Sequence, residues 1–376
     1  MENYVKYYPV GNGDCSLIKL DNSITIIIDC QIAEITKDNK NSVFDVKSDL
    51  LKELGRDAAG RPFVDLYVSS HPHSDHCSGF EANFYCGKPE DYDKEKDKDK
   101  IVIGELWVSP MALNNSIDPT AVPIRKEAKR RRKLYDDDEK YMGEYGSLLR
   151  IVGYDKDKEF DGRYGYIPGT KVHVVDHKSL KYLVLFIHAP FKESVEVGKE
   201  QDDKNEVSIV LHMTFVDNNG NTVCRLLTGG DAEHEVWEKI IENNKREENL
   251  EWNIFQAPHH CSWTFFNETS NKEEVKDSAI TILGKQLPYA HIVTSCTSIK
   301  NLDPKAVPPP SEEAAKEYKK QLKSGDDHFL NTEDEYIATK MPIVFKITEY
   351  GKTKMKQAVP SIESVVNKPA PRAGRD

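Results

Sequence analysis

The run His71-Pro72-His73-Ser74-Asp75-His76 packs four metal-capable side chains into six positions, directly after the apolar, strand-like run Val64-Asp65-Leu66-Tyr67-Val68-Ser69-Ser70. In an extended or turning segment, alternation points His71 and His73 the same way, while Asp75 and His76 curl toward a second position. Imidazole and carboxylate donors divided in this way suit two divalent ions a few ångström apart, a pair that activates water and holds a leaving group for hydrolysis. A solvated His-rich loop has no need of an apolar strand leading into it.

Two later segments share this character. Arg225-Leu226-Leu227-Thr228-Gly229-Gly230-Asp231 ends an apolar run in paired glycines, where backbone approaches a ligand closely, and in a carboxylate suited to bridging two ions. Trp252-Asn253-Ile254-Phe255-Gln256-Ala257-Pro258-His259-His260-Cys261-Ser262 ends another run in adjacent histidines, of which one points into a given site. His259 is expected as the ligand, and His260 as a group that supports the ligands or faces substrate.

Positioning these residues requires sheets. Strands are expected over 5–10, 16–20 and 24–28, joined by Gly11-Asn12-Gly13-Asp14 and Asp21-Asn22 as an antiparallel meander. A helix over 42–54, the strand from Val64, a charged loop over 88–100, a strand over 101–109 and a helical stretch over 123–150 follow. A second set of strands covers 171–175, 182–188, 207–215 and 222–227, the last two joined at Asn218-Asn219-Gly220. Then come a helix over 232–243, a strand over 252–256, a helix over 272–287, a strand over 290–295, a helix over 311–322 and a hairpin over 336–348. Two runs of strands, each closing with helices, give an α/β architecture of two packed mixed β-sheets flanked by helices, αββα. One domain is expected over 1–358, with loop or helical insertions near 86–100 and 123–150, and a disordered tail over 359–376 rich in Pro, Ala and charge.

The 376 residues, 38% of them hydrophobic, suffice for a large core. Apolar runs are strand-length and the amino terminus lacks a signal-peptide core, so a cytoplasmic protein without membrane association is expected. Seven scattered cysteines without CxxC spacing imply no disulfide framework. A net charge of −11 excludes coating of nucleic acid by charge alone, yet it does not exclude a nuclease, whose bound cations add local positive charge. Basic residues from Arg125 to Lys133 form either a docking patch or a solvated helical face balanced by Asp136-Asp137-Asp138-Glu139. Gly11 and Gly13 open no helix and lack a following Lys-Ser/Thr, so they form no phosphate loop, and Asp14 beside them is either a turn former or a site residue. Trp263-Thr264-Phe265-Phe266 either packs in the core or walls the cleft. His173, His177, His212, His234, His291 and His328 lack companion ligands and are read as structural or surface groups.

With Ile26-Ile27-Ile28-Asp29 ahead of them, the three segments resemble the motifs of metallo-β-lactamase-fold hydrolases, and within these the hydrolase domain of ComEC-type DNA-uptake proteins. Val10-Gly11-Asn12-Gly13-Asp14-Cys15-Ser16, Asn205-Glu206-Val207-Ser208, Leu227-Thr228-Gly229-Gly230-Asp231-Ala232-Glu233 and Ala257-Pro258-His259-His260-Cys261-Ser262 carry the narrower likeness, which runs from about Tyr4 to Tyr350. It implies two divalent ions, Zn²⁺ or Mn²⁺, held by His71, His73, Asp75, His76, Asp231 and His259, with Asp29 buttressing the His loop. The family's further histidine maps to His188, read either as a ligand or as a hydrogen-bonded structural group. Cys261 stands where relatives carry Gly, and Pro308-Pro309-Pro310 where they carry His-Pro. No channel-like span occurs, so a hydrolase acting apart from DNA uptake is expected. The implied activity is hydrolysis of a phosphodiester, with DNA or RNA as substrate: Asp75 orients the attacking hydroxide and Asn205, Ser208 or His260 contacts a non-bridging phosphate oxygen. A small phosphodiester or (thio)ester as substrate, or a non-catalytic regulatory role with protein partners bound through the charged insertions, are the alternatives.

Overall fold

The computed structural model describes residues 1–114, 118–137, 144–153, 165–192, 194–195, 205–268, 274–303, 305 and 307–356. Short β-branched runs form its strands. In chain order these are β1 (Asn3–Tyr7), β2 (Ser16–Lys19), β3 (Thr25–Ile28), β4 (Gly55–Arg56), β5 (Pro62–Ser69), β6 (Val102–Val108), β7 (Leu148–Val152) and β8 (Gly165–Tyr166). They continue with β9 (Lys171–Val172), β10 (Val174–Val175), β11 (Lys178–Ser179), β12 (Leu183–Ala189), β13 (Val210–Val216), β14 (Thr222–Thr228), β15 (Trp252–Gln256), β16 (Gln286–Thr294), β17 (Phe329–Asn331), β18 (Ile343–Thr348) and β19 (Gly351–Lys354).

Among the described residues the first sheet runs β19-β18-β1-β2-β3-β5-β6-β7-β8 with β4 paired to β5, and the second runs β17-β16-β15-β14-β13-β12-β9. Both are mixed: β3, β5, β6, β7 and β8 are mutually parallel, as are β14 to β17, and the remaining pairs are antiparallel. All eight residues of β5 are buried, as expected of a central parallel strand covered on both faces. The inner faces meet in one apolar core that includes Val5, Ile26, Leu66 and Val68 from one sheet and Leu185, Met213, Leu226 and Ile254 from the other. Helices cover the outer faces, through Leu50, Phe80 and Ile124 on the first and Trp237, Ile282 and Tyr318 on the second. The architecture is α/β, two large mixed sheets flanked by helices. No helix among the described residues is long and apolar enough to cross a membrane.

Three expected elements differ most in type or extent. The helix expected over 123–150 is Val122–Asp137, and Leu148–Val152 is instead a strand parallel to β6. An apolar run of five residues takes its state from its neighbours; residues 138–143 lie outside the described residues. The helix expected over 272–287 is Asp277–Gly284, and residues from Gln286 join β16, which gains parallel partners in β15 and β17. The expected hairpin over 336–348 is a helix, Thr332–Thr339, followed by β18: Asn331 caps that helix by accepting from Asp334 N, three acidic residues fill its first turn, and β18 pairs with β19 instead. The tail over 359–376 lies outside the described residues.

Part of the basic run is structural. Arg131 is buried, donates to Glu127 and to the carbonyls of Ile103, Gly104 and Leu148, and so ties its helix across β6 and β7. Arg130 forks onto Glu127 as well.

Candidate metal centre

The carboxyl ends of β5, β14 and β15 converge where the two sheets meet. Ile209 N donates to Ser70 O at 3.0 Å and His259 N to Gly230 O at 3.0 Å, while Ser295 Oγ donates to Gly13 O at 2.6 Å. These bonds stitch six loop segments around one buried cluster.

Asp29, at the end of β3, sets the orientation of the His loop. Its Oδ1 accepts from Ser70 N at 2.7 Å, and its Oδ2 from Ser70 Oγ at 2.6 Å and from His76 Nδ1 at 2.8 Å. With Nδ1 committed as donor, the Nε2 lone pair of neutral His76 faces the cluster. It lies 3.0 Å from Asp231 Oδ1 and 3.2 Å from Nε2 of His260. His260 is fixed the same way, Nδ1 donating to Ser295 O at 3.0 Å, and its Nε2 is also 3.2 Å from Asp75 Oδ2. His71 Nδ1 lies 3.0 Å from Ser70 Oγ and its Nε2 3.4 Å from Asp231 Oδ2.

The donors fall into two groups, Asp14, His76, Asp231 and His260, and His71, His73, Asp75 and Asp231. Within each group one donor atom per residue lies within 4.8 Å of the others, and Asp231 belongs to both. Divalent ions fit here on three counts. His71 Nε2, Asp14 Oδ1 and Asp231 Oδ1 are buried without a hydrogen-bond partner, a cost of about 1–3 kcal/mol each if nothing coordinates them. Two imidazole nitrogens face each other at 3.2 Å, each ring's other nitrogen already donating, a pair that either a proton or a metal ion satisfies. The donor set of imidazole and carboxylate is that of Zn²⁺ or Mn²⁺.

The electrostatics agree. Burial alone depresses His76, but Asp231 and Asp29 outweigh it and raise its pKa well above the ordinary value. For His260, burial is likewise outweighed, by Asp231 and the Asp75 hydrogen bond, and its pKa rises to about 9. Burial pushes Asp14 up to about 6. Against burial, the surrounding histidines hold Asp231 well below the carboxylate range, and the His260 hydrogen bond with the His76 charge lowers Asp75. His71 is lowered by burial and by neighbouring His76. The cluster is thus a buried field that favours positive charge, which protons supply when metals do not.

The structure brings His71, His73, Asp75, His76 and Asp231 together and corrects other expectations. His260, not His259, joins the donors. His259, His260 and Cys261 are successive residues of positive φ, 50°, 51° and 66°, and this left-handed turn rotates His260 inward. His259 stays at the rim, Nε2 3.8 Å from Asp231 Oδ2 and Nδ1 3.0 Å from Thr264 Oγ1 and 3.5 Å from Glu233. The positive φ at Cys261 is a conformation that glycine adopts most readily. His188 lies in neither donor group: Nε2 donates to Asn249 O at 2.9 Å, and burial lowers its pKa to about 4. It is a structural histidine on the outward face of β12. Ser208 is fully buried, and its Oγ accepts from the backbone N of Asp231 at 3.3 Å, which ties the turn that carries that carboxylate. Asn205 donates to Glu233 at 3.2 Å, beside His259. Trp263, Phe265 and Phe266 pack in the outer core of the second sheet.

Sequence reasoning left Asp14 open between turn and site. Its signal lies in Gly13: a Cβ there would sit 2.3 Å from Gln31 Oε1 and 2.6 Å from Asp75 O. The glycine lets the Asp14 turn press against the His loop, where Asp14 N donates to Asp75 O at 3.1 Å.

No family model and no curated protein matches this chain. Among solved structures it is similar to the isothiocyanate hydrolase from Delia radicum gut bacteria, at 13% identity and a TM-score of 0.40, over 88% of this chain and 95% of that one.

Proposed function

We propose that this chain is a metallo-β-lactamase-fold hydrolase that binds two divalent ions, Zn²⁺ or Mn²⁺, and cleaves phosphodiesters, with DNA or RNA as substrate. The observation that carries the reading is the pair of donor groups sharing Asp231, with buried donor atoms left unpartnered at their centre. His71, His73, Asp75 and Asp231 would hold one ion and Asp14, His76, His260 and Asp231 the other. Ions so placed supply Lewis acidity toward a phosphoryl oxygen and lower the pKa of water toward neutrality.

The chain's own residues do the rest. Asp29 and the Ser295 carbonyl lock the tautomers of His76 and His260, so both present Nε2 inward. Asp75, partly exposed beside the cluster, orients the attacking water through its carboxylate. His259 stands at the rim with Nδ1 against Thr264 and Glu233, its Nε2 3.8 Å from Asp231 Oδ2 and placed to contact a non-bridging ester oxygen. All seven cysteines are free, which fits a reducing, cytoplasmic setting.

One observation favours a smaller substrate as the second reading. Among the described residues, none of the ion-pair partners of Asp14, Asp75, Asp231 or the buried histidines around them is Lys or Arg, and a polyanionic strand gains most from such groups. The test is hydrolysis of labelled single- and double-stranded DNA, RNA and bis(p-nitrophenyl) phosphate by metal-stripped protein refilled with Mn²⁺ or Zn²⁺, with Asp231→Ala as control. Metal-dependent strand cleavage lost in the variant supports the nuclease. Cleavage of the small diester alone supports the second reading, and no cleavage of any substrate contradicts both.

A further inference from the structure

The two donor groups that share Asp231 are not equally open. Asp14, His76, Asp231 and His260 are all buried, none more than 5% exposed. In the other group His71 is buried, but His73 and Asp75 are half-buried, and the Asp75 side chain keeps 32% of its exposure. Asp75 stands at the border of the two groups, Oδ2 3.2 Å from His260 Nε2.

The buried group has the spacing of a complete shell. His76 Nε2 lies 3.0 Å from Asp231 Oδ1 and 3.2 Å from His260 Nε2, and His260 Nε2 lies 3.5 Å from Asp231 Oδ1. A tetrahedron with metal–ligand bonds of about 2.0–2.1 Å has edges of about 3.3–3.4 Å. These three contacts outline one face of such a shell. Asp14, its Oδ1 buried without a hydrogen-bond partner and a donor atom within 4.8 Å of the other three, supplies the fourth corner. Four protein donors leave a tetrahedral ion no position for water, the pattern of a structural site, whereas a catalytic site keeps a position open. The cover over this group is clasped by Asn12, which precedes the Gly13-Asp14 turn. Its Nδ2 donates to Pro309 O at 3.0 Å, and its Oδ1 accepts from Thr297 N at 2.9 Å and Thr297 Oγ1 at 3.1 Å. Ser295 Oγ holds Gly13 O, and Ser311 N donates to Cys261 O at 3.0 Å, next to His260. The Asp14 turn, the segment after β16 and residues 309–311 are thus bound to one another around Asp14 and His260.

Resting on the two-ion reading, we propose that the two sites are unequal. The site of Asp14, His76, His260 and Asp231 holds its ion tightly and exchanges it slowly, with Asn12 as the positioning residue that keeps its cover shut. The site of His71, His73, Asp75 and Asp231 exchanges its ion readily and is the one that substrate reaches. The division follows from the protein donors and their cover, so it holds for a nucleic-acid strand and for a small ester alike.

The test is the release of Zn²⁺ from the fully loaded whole chain into excess chromophoric chelator, followed in time. The expected course has two phases of one ion each, with rates that differ by about tenfold or more. His73→Ala should remove the fast phase and keep the slow one, while Asp14→Asn should keep the fast phase and bring the slow one up to it. Asn12→Ala should speed the slow phase alone, by about tenfold; a general loosening of the fold would speed both. Two ions leaving in a single phase overturns the proposal and leaves the two-ion reading standing. So does an Asn12→Ala chain whose slow phase is unchanged, or whose phases quicken equally. A loaded chain that holds fewer than two ions overturns the two-ion reading itself, and the proposal with it.

Discussion

Asp29→Asn isolates the support of the metal loop from the ligands themselves. The carboxylate accepts from Ser70 N, Ser70 Oγ and His76 Nδ1 at 2.6–2.8 Å, and hydrogen bonds to a charged acceptor contribute about 1.5–3 kcal/mol each. Ser70 Oγ can turn to His71 Nδ1, 3.0 Å away, so two donors depend on the carboxylate alone. The amide keeps one oxygen for one of them and turns its NH₂ toward the other. The expected loss is therefore about 2–3 kcal/mol of stability in the metal-free protein, a large share of the roughly 5–15 kcal/mol typical of a folded protein. The positive φ of 58° at Asp29 is tolerated by Asn, so backbone strain does not confound the comparison. With His76 free to rotate or change tautomer, metal affinity should fall by about 10–100-fold. Urea denaturation of the stripped protein and competitive titration against a chromophoric chelator read the two effects. A denaturation midpoint unchanged from wild type, with metal affinity within about twofold, would refute the reasoning.

Three further outcomes are expected. The pKa of His260, raised from 6.5 to about 9 in the folded chain, makes a contribution to metal-free stability that is complete below pH 6.5 and lost as pH rises through 9, about 3 kcal/mol in all; denaturation at stepped pH checks it, and loaded protein should instead bind metal more tightly as pH rises. Gly13→Ala should drive a Cβ into Gln31 and the Asp75 carbonyl, costing about 1–3 kcal/mol and displacing the Asp75 loop, seen as a lower denaturation midpoint together with weakened metal binding. His188→Gln should lower thermal stability but leave metal content at the wild-type value, whereas His260→Gln should lose metal, a contrast that elemental analysis of the two purified variants settles.

The grouping of these side chains was legible because His and Asp in such density at the ends of apolar strands have few uses apart from a shared site, and the structure does bring them together. His71, His73, Asp75, His76 and Asp231 came out of that rule. The choice between His259 and His260 did not, since it depends on three successive left-handed residues that no side-chain chemistry announces. His188 misled for the converse reason: a histidine at a strand end reads the same whether it faces an ion or the Asn249 carbonyl on the outer face. Asp14 was half-visible, because its role depends on the Asp75 loop 61 residues further along the chain pressing against Gly13. In the fold, the buried β5 was plain from its apolar run, whereas β7 and the start of β16 took strand conformation from parallel neighbours that local periodicity does not encode.

The most direct test of the central claim is the metal content of the chain itself, measured by elemental mass spectrometry after dialysis against limiting Zn²⁺ or Mn²⁺. Two ions per wild-type chain, falling in Asp231→Ala as the carboxylate common to both donor groups is lost, is the result this account expects. A wild-type chain that retains none, or an Asp231→Ala chain that still retains two, would contradict it.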